Sequence, residues 1–178
     1  MNSDHEGAIR GAVAQLLQSV HTLQLATVND AGLPLSSYTP YLHIPGRGFY
    51  IYVSELAGHT RNLQRHCETG VLIIADESAT KQLFARERLS IECVAEFIAR
   101  DSDDWALCMD ALEESFGSVL KLIRGLKDFH LVFLKPLGGV YVRGFGEAWS
   151  FEGADLEHFG HIDSELLAQT SSTGTSSA

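Results

Sequence analysis

The sequence predicts a mainly β, α+β fold: an antiparallel barrel with peripheral helices. Short runs rich in β-branched and aromatic residues recur along the chain, and turn sequences such as Asn29-Asp30-Ala31-Gly32 and Pro45-Gly46-Arg47-Gly48 separate them. Helical periodicity is confined to a few segments. Strands joined mostly by turns pair antiparallel, and a barrel removes the exposed edges that an open sheet would leave.

The first element reads as a helix. Ser3-Asp4-His5-Glu6 matches a capping box, and Ile9, Val13, Leu16, Leu17 and Val20 then recur at helical spacing to give one apolar face. Thr22 to Val28 reads as a strand running into the Asn29–Gly32 hairpin turn, with Leu35 to His43 returning from it. Pro45–Gly48 turns the chain into Phe49 to Ser54, and a short helix from about Gly58 to His66 leads to an apolar strand at Val71 to Ala75. Leu89 to Ala99 reads as a long strand. Ser102-Asp103-Asp104 opens a helix with Trp105, Leu107, Leu112, Phe116, Leu120 and Ile123 as core contacts and a break near Gly117. Phe129 to Leu134 and Gly139 to Val142 are expected to form a hairpin over Lys135-Pro136-Leu137-Gly138, after which the chain runs through Gly144-Phe145-Gly146 to Trp149. One domain over residues 1–165 is expected, ending in a C-terminal segment with two histidines. Residues 166–178, whose last nine are Ser, Thr, Gly and Ala alone, are expected to be a disordered tail.

Composition narrows the function classes. The chain has 178 residues, 45% of them hydrophobic, enough for one sizeable core. A formal net charge of -10 argues against a nucleic-acid surface, and no apolar run approaches a membrane span. The N-terminal residues lack a signal-peptide layout. Cys67, Cys93 and Cys108 are odd in number and form no CxxC pair, which fits a reducing compartment and excludes a zinc finger. The expectation is a soluble cytoplasmic protein.

Against that acidic background, Lys81-Gln82-Leu83-Phe84-Ala85-Arg86-Glu87-Arg88-Leu89-Ser90 gathers Lys81, Arg86 and Arg88 just after the Val71–Ala75 strand. A second polar and basic cluster, Ser54 to Leu63, holds His59 and Arg61. Cations gathered at strand ends of an acidic protein point to anion binding; a solvated charged turn is the competing reading. No Ser-His-Asp order, glycine-rich phosphate loop or HExxH motif is present, and Gly144-Phe145-Gly146 lacks the rest of a dinucleotide fingerprint.

Leu25-Ala26-Thr27-Val28, Gly32-Leu33-Pro34 and Ser37-Tyr38-Thr39-Pro40 resemble the first hairpin of the split-barrel, FMN-binding-like proteins of the pyridoxamine 5'-phosphate oxidase type. Arg61-Asn62-Leu63, Lys81 to Ser90, and Asp128-Phe129 with Tyr141 to Gly146 resemble the haem-utilisation branch of that superfamily, the HutZ/HugZ proteins. The likeness spans roughly residues 20 to 165. It implies a homodimer of split barrels with haem at the dimer interface, degraded oxidatively with electrons from an unidentified donor, or only stored or delivered. FMN is the alternative cofactor, in a pyridoxamine-phosphate-oxidase-like oxidoreductase. Flavin-binding relatives place a phosphate-binding cation where this chain has His59, a poorer phosphate partner when neutral. Arg61, Lys81 and Arg88 remain able to bind anions, whether a flavin phosphate or haem propionates.

Haem needs an axial ligand, and histidine is the usual supplier. Of eight histidines, His5, His21, His43, His66 and His130 are accounted for structurally. His161 and His158 lie in the C-terminal segment that the resemblance brings toward haem, and His161 is expected to be the metal ligand. Relatives carry a second histidine where this chain has Leu166, so His158 stays open as the alternative. The resemblance further implies that Asp128 accepts the imidazole N–H of the axial histidine across the dimer, although a turn or capping role would also account for an aspartate there.

Overall fold

The computed structural model describes residues 3–153, 156 and 158–162. Strand alternation builds the barrel. In β1 (Thr22–Val28), Leu23 and Leu25 are buried while Gln24 and Ala26 face outward. The period of two repeats through Val71 and Ile73 of β5 (Glu68–Ile74) and Leu89 and Ile91 of β6 (Arg88–Ile98), putting one face of each strand into a common interior. The remaining strands are β2 (Pro34–Pro40), β3 (Leu42–Ile44), β4 (Gly48–Ser54), β7 (Phe129–Gly144), β8 (Glu147–Glu152) and β9 (Phe159–His161). The described residues form a single sheet of antiparallel pairs in the order β2-β1-β5-β6-β7-β4-β3, with β8 and then β9 added along the second half of β7.

Helices cover what the barrel leaves open. Ile9, Val13 and Leu16 of α1 (Ser3–Ser19) join the interior cluster with Leu23, Phe49, Ile73 and Leu89. A short α2 (Gly58–Leu63) sits against β1, where the buried Asn62 Nδ2 donates to Thr27 Oγ1 at 2.9 Å. β4 is buried on both faces, which explains its unbroken apolar run Phe49-Tyr50-Ile51-Tyr52-Val53. Phe49, Ile51 and Val53 face the barrel interior; Tyr50 and Tyr52 face α3 (Asp103–Phe116) and α4 (Ser118–Ile123) with Trp105, Met109, Leu112 and Leu120. Ser102 caps α3, its Oγ accepting from Trp105 N at 3.1 Å. The expected break falls at Gly117, whose φ of 68° few other residues adopt. The Asn29 turn also forms as expected, with Asn29 Oδ1 accepting from Ala31 N and Leu33 N at 3.0 and 2.9 Å.

Three expectations are corrected. Leu107, expected among the core contacts of α3, is 56% exposed, because the buried face of that helix runs through Trp105, Cys108, Met109 and Leu112. The other two concern strands. Phe129–Leu134 and Gly139–Val142 are not the arms of a hairpin: Phe129–Gly144 is one strand. The partner strand decides this, because β6 pairs with β7 from Leu131 to Val142 and leaves no room for a reversal. Lys135–Gly138 becomes a bulge, with Glu92 opposite Gly138 and Cys93 opposite Pro136, so the proline's missing amide falls where the ladder is already interrupted. At Gly139 a Cβ would collide with the backbone of Ser90 and Ile91, so only glycine allows this close approach. The actual reversal is at Phe145-Gly146, between β7 and β8. The last correction concerns Leu35 to His43, which is interrupted at Tyr41. Its amide donates to His21 O at 3.3 Å and its buried ring sends the hydroxyl to Leu17 O at 3.2 Å, so the chain bends inward between β2 and β3.

The tail at 166–178, Leu166 among it, and the side chain of Ser3 in the expected capping box lie outside the described residues.

Candidate functional site

The sequence-predicted site residues fall at the two ends of β7. Asp128 sits just before it. Asp128 Oδ2 accepts from Ser54 Oγ at 3.1 Å, its backbone carbonyl accepts from Glu55 N at 2.8 Å, and Ser54 Oγ in turn accepts from Leu56 N at 3.2 Å. The end of β4 therefore fixes the carboxylate. Next to it His130 Nε2 meets Glu55 Oε1 at 2.7 Å, which ties β7 to the same loop and agrees with a structural role for this histidine. The turn before Asp128 is held from outside by Arg100, whose guanidinium donates to the carbonyls of Arg124, Leu126 and Phe129 at 3.0, 2.6 and 3.0 Å.

At this end the cations of the second cluster are committed. Arg61 Nη1 donates to Glu55 O and Leu56 O at 2.9 and 3.0 Å, so one face of its guanidinium closes the β4–α2 loop. His59 is buried, with Nδ1 3.0 Å from Ser37 Oγ, and burial pushes its pKa below the usual histidine value. A neutral ring is a weak phosphate partner. His43, packed on Phe49 with ring centroids 5.0 Å apart, is lowered by burial in the same way.

Lys81, Arg86 and Arg88 lie at the far end, because Arg88 pairs with Val142 whereas Phe129 pairs with Ser54. Along an extended strand those positions are roughly 35–45 Å apart. Arg61 therefore does not join Lys81 and Arg88 in one anion site within a chain. Lys81, Arg86 and Arg143 instead line a groove of about 920 Å³ between the end of α1, the start of β1, the 76–87 loop and the β7–β8 turn with Phe145. Lys81 is exposed and has no hydrogen-bond or ion-pair partner among the described residues. Arg86 is anchored by Nε to Ala75 O at 2.7 Å, Arg88 donates to Arg86 O at 2.9 Å, and Arg143 pairs with Glu147 at 3.1 Å. Phe84, 88% exposed, is presented by the same loop.

His161 belongs to this second end. It closes β9, opposite Trp149, and its Nε2 donates to Gly146 O at 3.1 Å. Its ring meets Trp149 edge-on at 5.6 Å, and Trp149 stacks on Tyr141 at 5.9 Å. The Tyr141 hydroxyl donates to Glu87 in a short hydrogen bond, and its pKa is raised by burial and by that carboxylate. Trp149 Nε1 is buried with no partner among the described residues. His158 points elsewhere, its Nδ1 3.4 Å from Glu6 Oε1 on α1. No cluster of three or more His, Cys, Asp or Glu is arranged for a metal ion among the described residues.

Sequence reasoning missed Ser54, Arg100, Tyr141, Trp149 and Arg143. Ser54, Arg100, Tyr141 and Trp149 gain their roles through partners distant in sequence; Arg143, paired with Glu147, carried a local signal, a cation at a strand end.

The buried histidines make stability depend on pH. Their folded-state pKa values lie below the ordinary 6.5, so their contribution is present above that pH and is lost as pH falls toward the depressed values. The urea midpoint should drop between pH 7.5 and pH 5, and His59→Gln should flatten part of that drop. Parallel pH profiles for wild type and His59→Gln would refute the assignment.

A family model described as pyridoxamine 5'-phosphate oxidase matches residues 9–143. The chain is 37% identical over 158 residues to the heme oxygenase HutZ of Vibrio cholerae, covering 89% of each chain. The crystal structure of HutZ from Vibrio cholerae, described as a heme storage protein, aligns with a TM-score of 0.70 and 34% identity, over 83% of this chain and 97% of that one. A heme binding protein from Mycobacterium smegmatis aligns with a TM-score of 0.70 and 26% identity, over 79% of this chain and 57% of that one.

Proposed function

This chain belongs to the pyridoxamine 5'-phosphate oxidase family, and we propose that within it the protein serves haem utilisation, as a cytoplasmic homodimer that binds haem and supports its oxidative breakdown with release of iron. The observation that carries this reading is the 37% identity to heme oxygenase HutZ over 89% of each chain. No helix among the described residues is long and apolar enough to cross a membrane, and the three cysteines are free thiols.

The donor set of the groove fits haem. An apolar macrocycle with two carboxylates needs apolar contacts beside cations, and Phe145 beside Lys81, Arg86 and Arg143 supplies both, with Phe84 exposed on the same loop. Lys81 and Arg88 would pair the propionates, with Arg61 left to its loop. His161, which reaches the same β7–β8 turn, would bind the iron. When bound, haem supplies oxygen activation at its iron. The chain holds the imidazole through an N–H acceptor: Gly146 O within one subunit, and in the dimer Asp128 of the partner subunit. A carboxylate acceptor makes the histidine a stronger donor. The distance of Asp128 from His161 within a chain supports a shared, dimeric site. So do Leu33 and Tyr38 near the β2 edge, 61% and 69% exposed. FMN fits less well, because the place of its phosphate-binding cation holds the buried His59.

A second reading, storage or delivery without turnover, is favoured by the description of the Vibrio cholerae HutZ crystal structure as a heme storage protein. Haem titration of the purified protein, followed by a reductant in air, separates the two. Decay of the Soret band with iron release supports an enzyme, a stable bound spectrum supports storage, and no haem binding refutes both. Lys81→Ala should weaken haem binding by about tenfold through loss of a charge-assisted hydrogen bond; an unchanged affinity would return the 81–90 stretch to a solvated turn.

A further inference from the structure

A separate cavity of about 490 Å³ lies between α1, the Tyr41–Gly46 segment and the C-terminal end of α3. Its position on the fold is set by the bend at Tyr41, which carries the chain out of β2 and under α1. Val13, Leu17, Leu42 and Phe116 give it an apolar wall. Arg10, His21 and His43 line it beside the uncharged Gln18, Tyr41 and Ser115, and no Asp or Glu does so among the described residues. In a chain with 23 acidic residues against 13 lysines and arginines, a margin that holds Arg10 and two imidazoles and no carboxylate among the described residues departs from the overall acidic balance.

The nitrogen-bearing side chains are also available. Arg10 and His21 are exposed, and neither has a hydrogen-bond or ion-pair partner among the described residues. His43 is partly buried, its ring resting on Phe49, and its ring nitrogens likewise have no partner among the described residues. The volume falls in the range of small-molecule sites, in which apolar walls supply affinity and a few polar groups fix orientation. We propose that this cavity binds a small amphipathic carboxylate, with its apolar body against Val13, Leu17 and Phe116 and its carboxylate facing Arg10 and the two histidines. The cavity adjoins the groove of Lys81 and Arg86 through His21 and Val20, which lie in both walls, but Arg10 and His43 line the cavity and not the groove.

Calorimetric titration of the full chain with decanoate tests the proposal. Decyltrimethylammonium, an apolar chain of the same length with a cationic head, is the control. Decanoate should bind saturably at one site per chain and the cation at least tenfold more weakly. Arg10→Glu reverses the charge at the margin and should weaken decanoate by about tenfold or more. Ala14→Trp, on the exposed lining of α1, should obstruct the cavity and remove decanoate binding while haem titration stays as in the wild type. A thermal melt shows that each variant folds, and the surface position of Arg10 keeps the test valid if the tryptophan variant does not. Equal binding of the cation and the carboxylate, absence of saturable decanoate binding, or wild-type affinity in folded Arg10→Glu would each overturn the assignment.

Discussion

Replacing His161 with Ala is expected to shift the Soret band of the haem-loaded protein and to weaken haem binding by tenfold or more, on the order expected for losing a donor that the rest of the site is arranged around. The side chain is well placed to be selective in this effect. It is exposed at the end of β9, so its removal leaves no cavity in the core, and its contacts include Gly146 O and the edge of Trp149. The thermal midpoint should therefore change little while the spectrum changes. Asp128→Asn tests the other half. An amide accepts the imidazole N–H less strongly than a carboxylate, so haem should remain bound with altered reactivity toward reductant and air. Within the fold this variant keeps an oxygen able to accept from Ser54 Oγ, so a loss of folding is not expected. If Asp128 acts through His161, the double variant should match His161→Ala alone. Additive effects would separate the two residues, and superimposable wild-type and His161→Ala spectra would move the ligand to His158. The same residues cannot meet within one chain, so a monomer in gel filtration at micromolar concentration would end the shared-site assignment.

The largest expected loss of stability comes from Trp105→Ala. Trp105 is 7% exposed and is the largest side chain of the second core cluster, between α3 and the outer face of β4 and β7. Guanidinium groups of Arg100 and Arg124 lie over its ring at 5.2 and 5.1 Å from the centroid. Truncation removes the buried indole and both cation–π contacts, a loss of about 3–5 kcal/mol in unfolding free energy. Its effect should also reach the site. Arg100, freed from the ring, still holds the carbonyls of Arg124, Leu126 and Phe129 that shape the turn before Asp128, but with a less restrained side chain. Trp105→Phe, which keeps an aromatic face, should lose less than half as much. Urea denaturation measures both, and a loss below about 1 kcal/mol for the alanine variant would show that the indole is not a centre of packing.

Much of the fold was legible because it rests on local chemistry. The period-two strands, the Asn29 turn, the Ser102 cap and the Gly117 break each depend on side chains within a few residues of one another, and each forms where the sequence places it. The strand from Phe49 to Ser54 was legible too, but its burial on both faces depends on α3 and α4 packing against its outer side. The site was less so. The stretches around Arg61 and Lys81 look alike in sequence, cations beside a strand end, yet they occupy opposite ends of the barrel. Which end a strand terminus occupies follows from antiparallel pairing with β7, not from its own residues.

The same cause explains the misread hairpin. Pro136 and the two glycines at Gly138-Gly139 carry every local mark of a turn, and the marks are outweighed by β6, whose eleven residues demand a partner of equal length. A bulge absorbs the proline, and the reversal moves to Phe145-Gly146. Side chains and short spacings thus determined the elements, their buried faces and the family likeness. Pairing between segments dozens of residues apart decided the rest: the continuity of β7, the commitment of Arg61 to loop carbonyls, and the separation of Asp128 from His161. Such contacts form only after the chain has closed long loops, and their energy is shared among partners that no window of sequence contains.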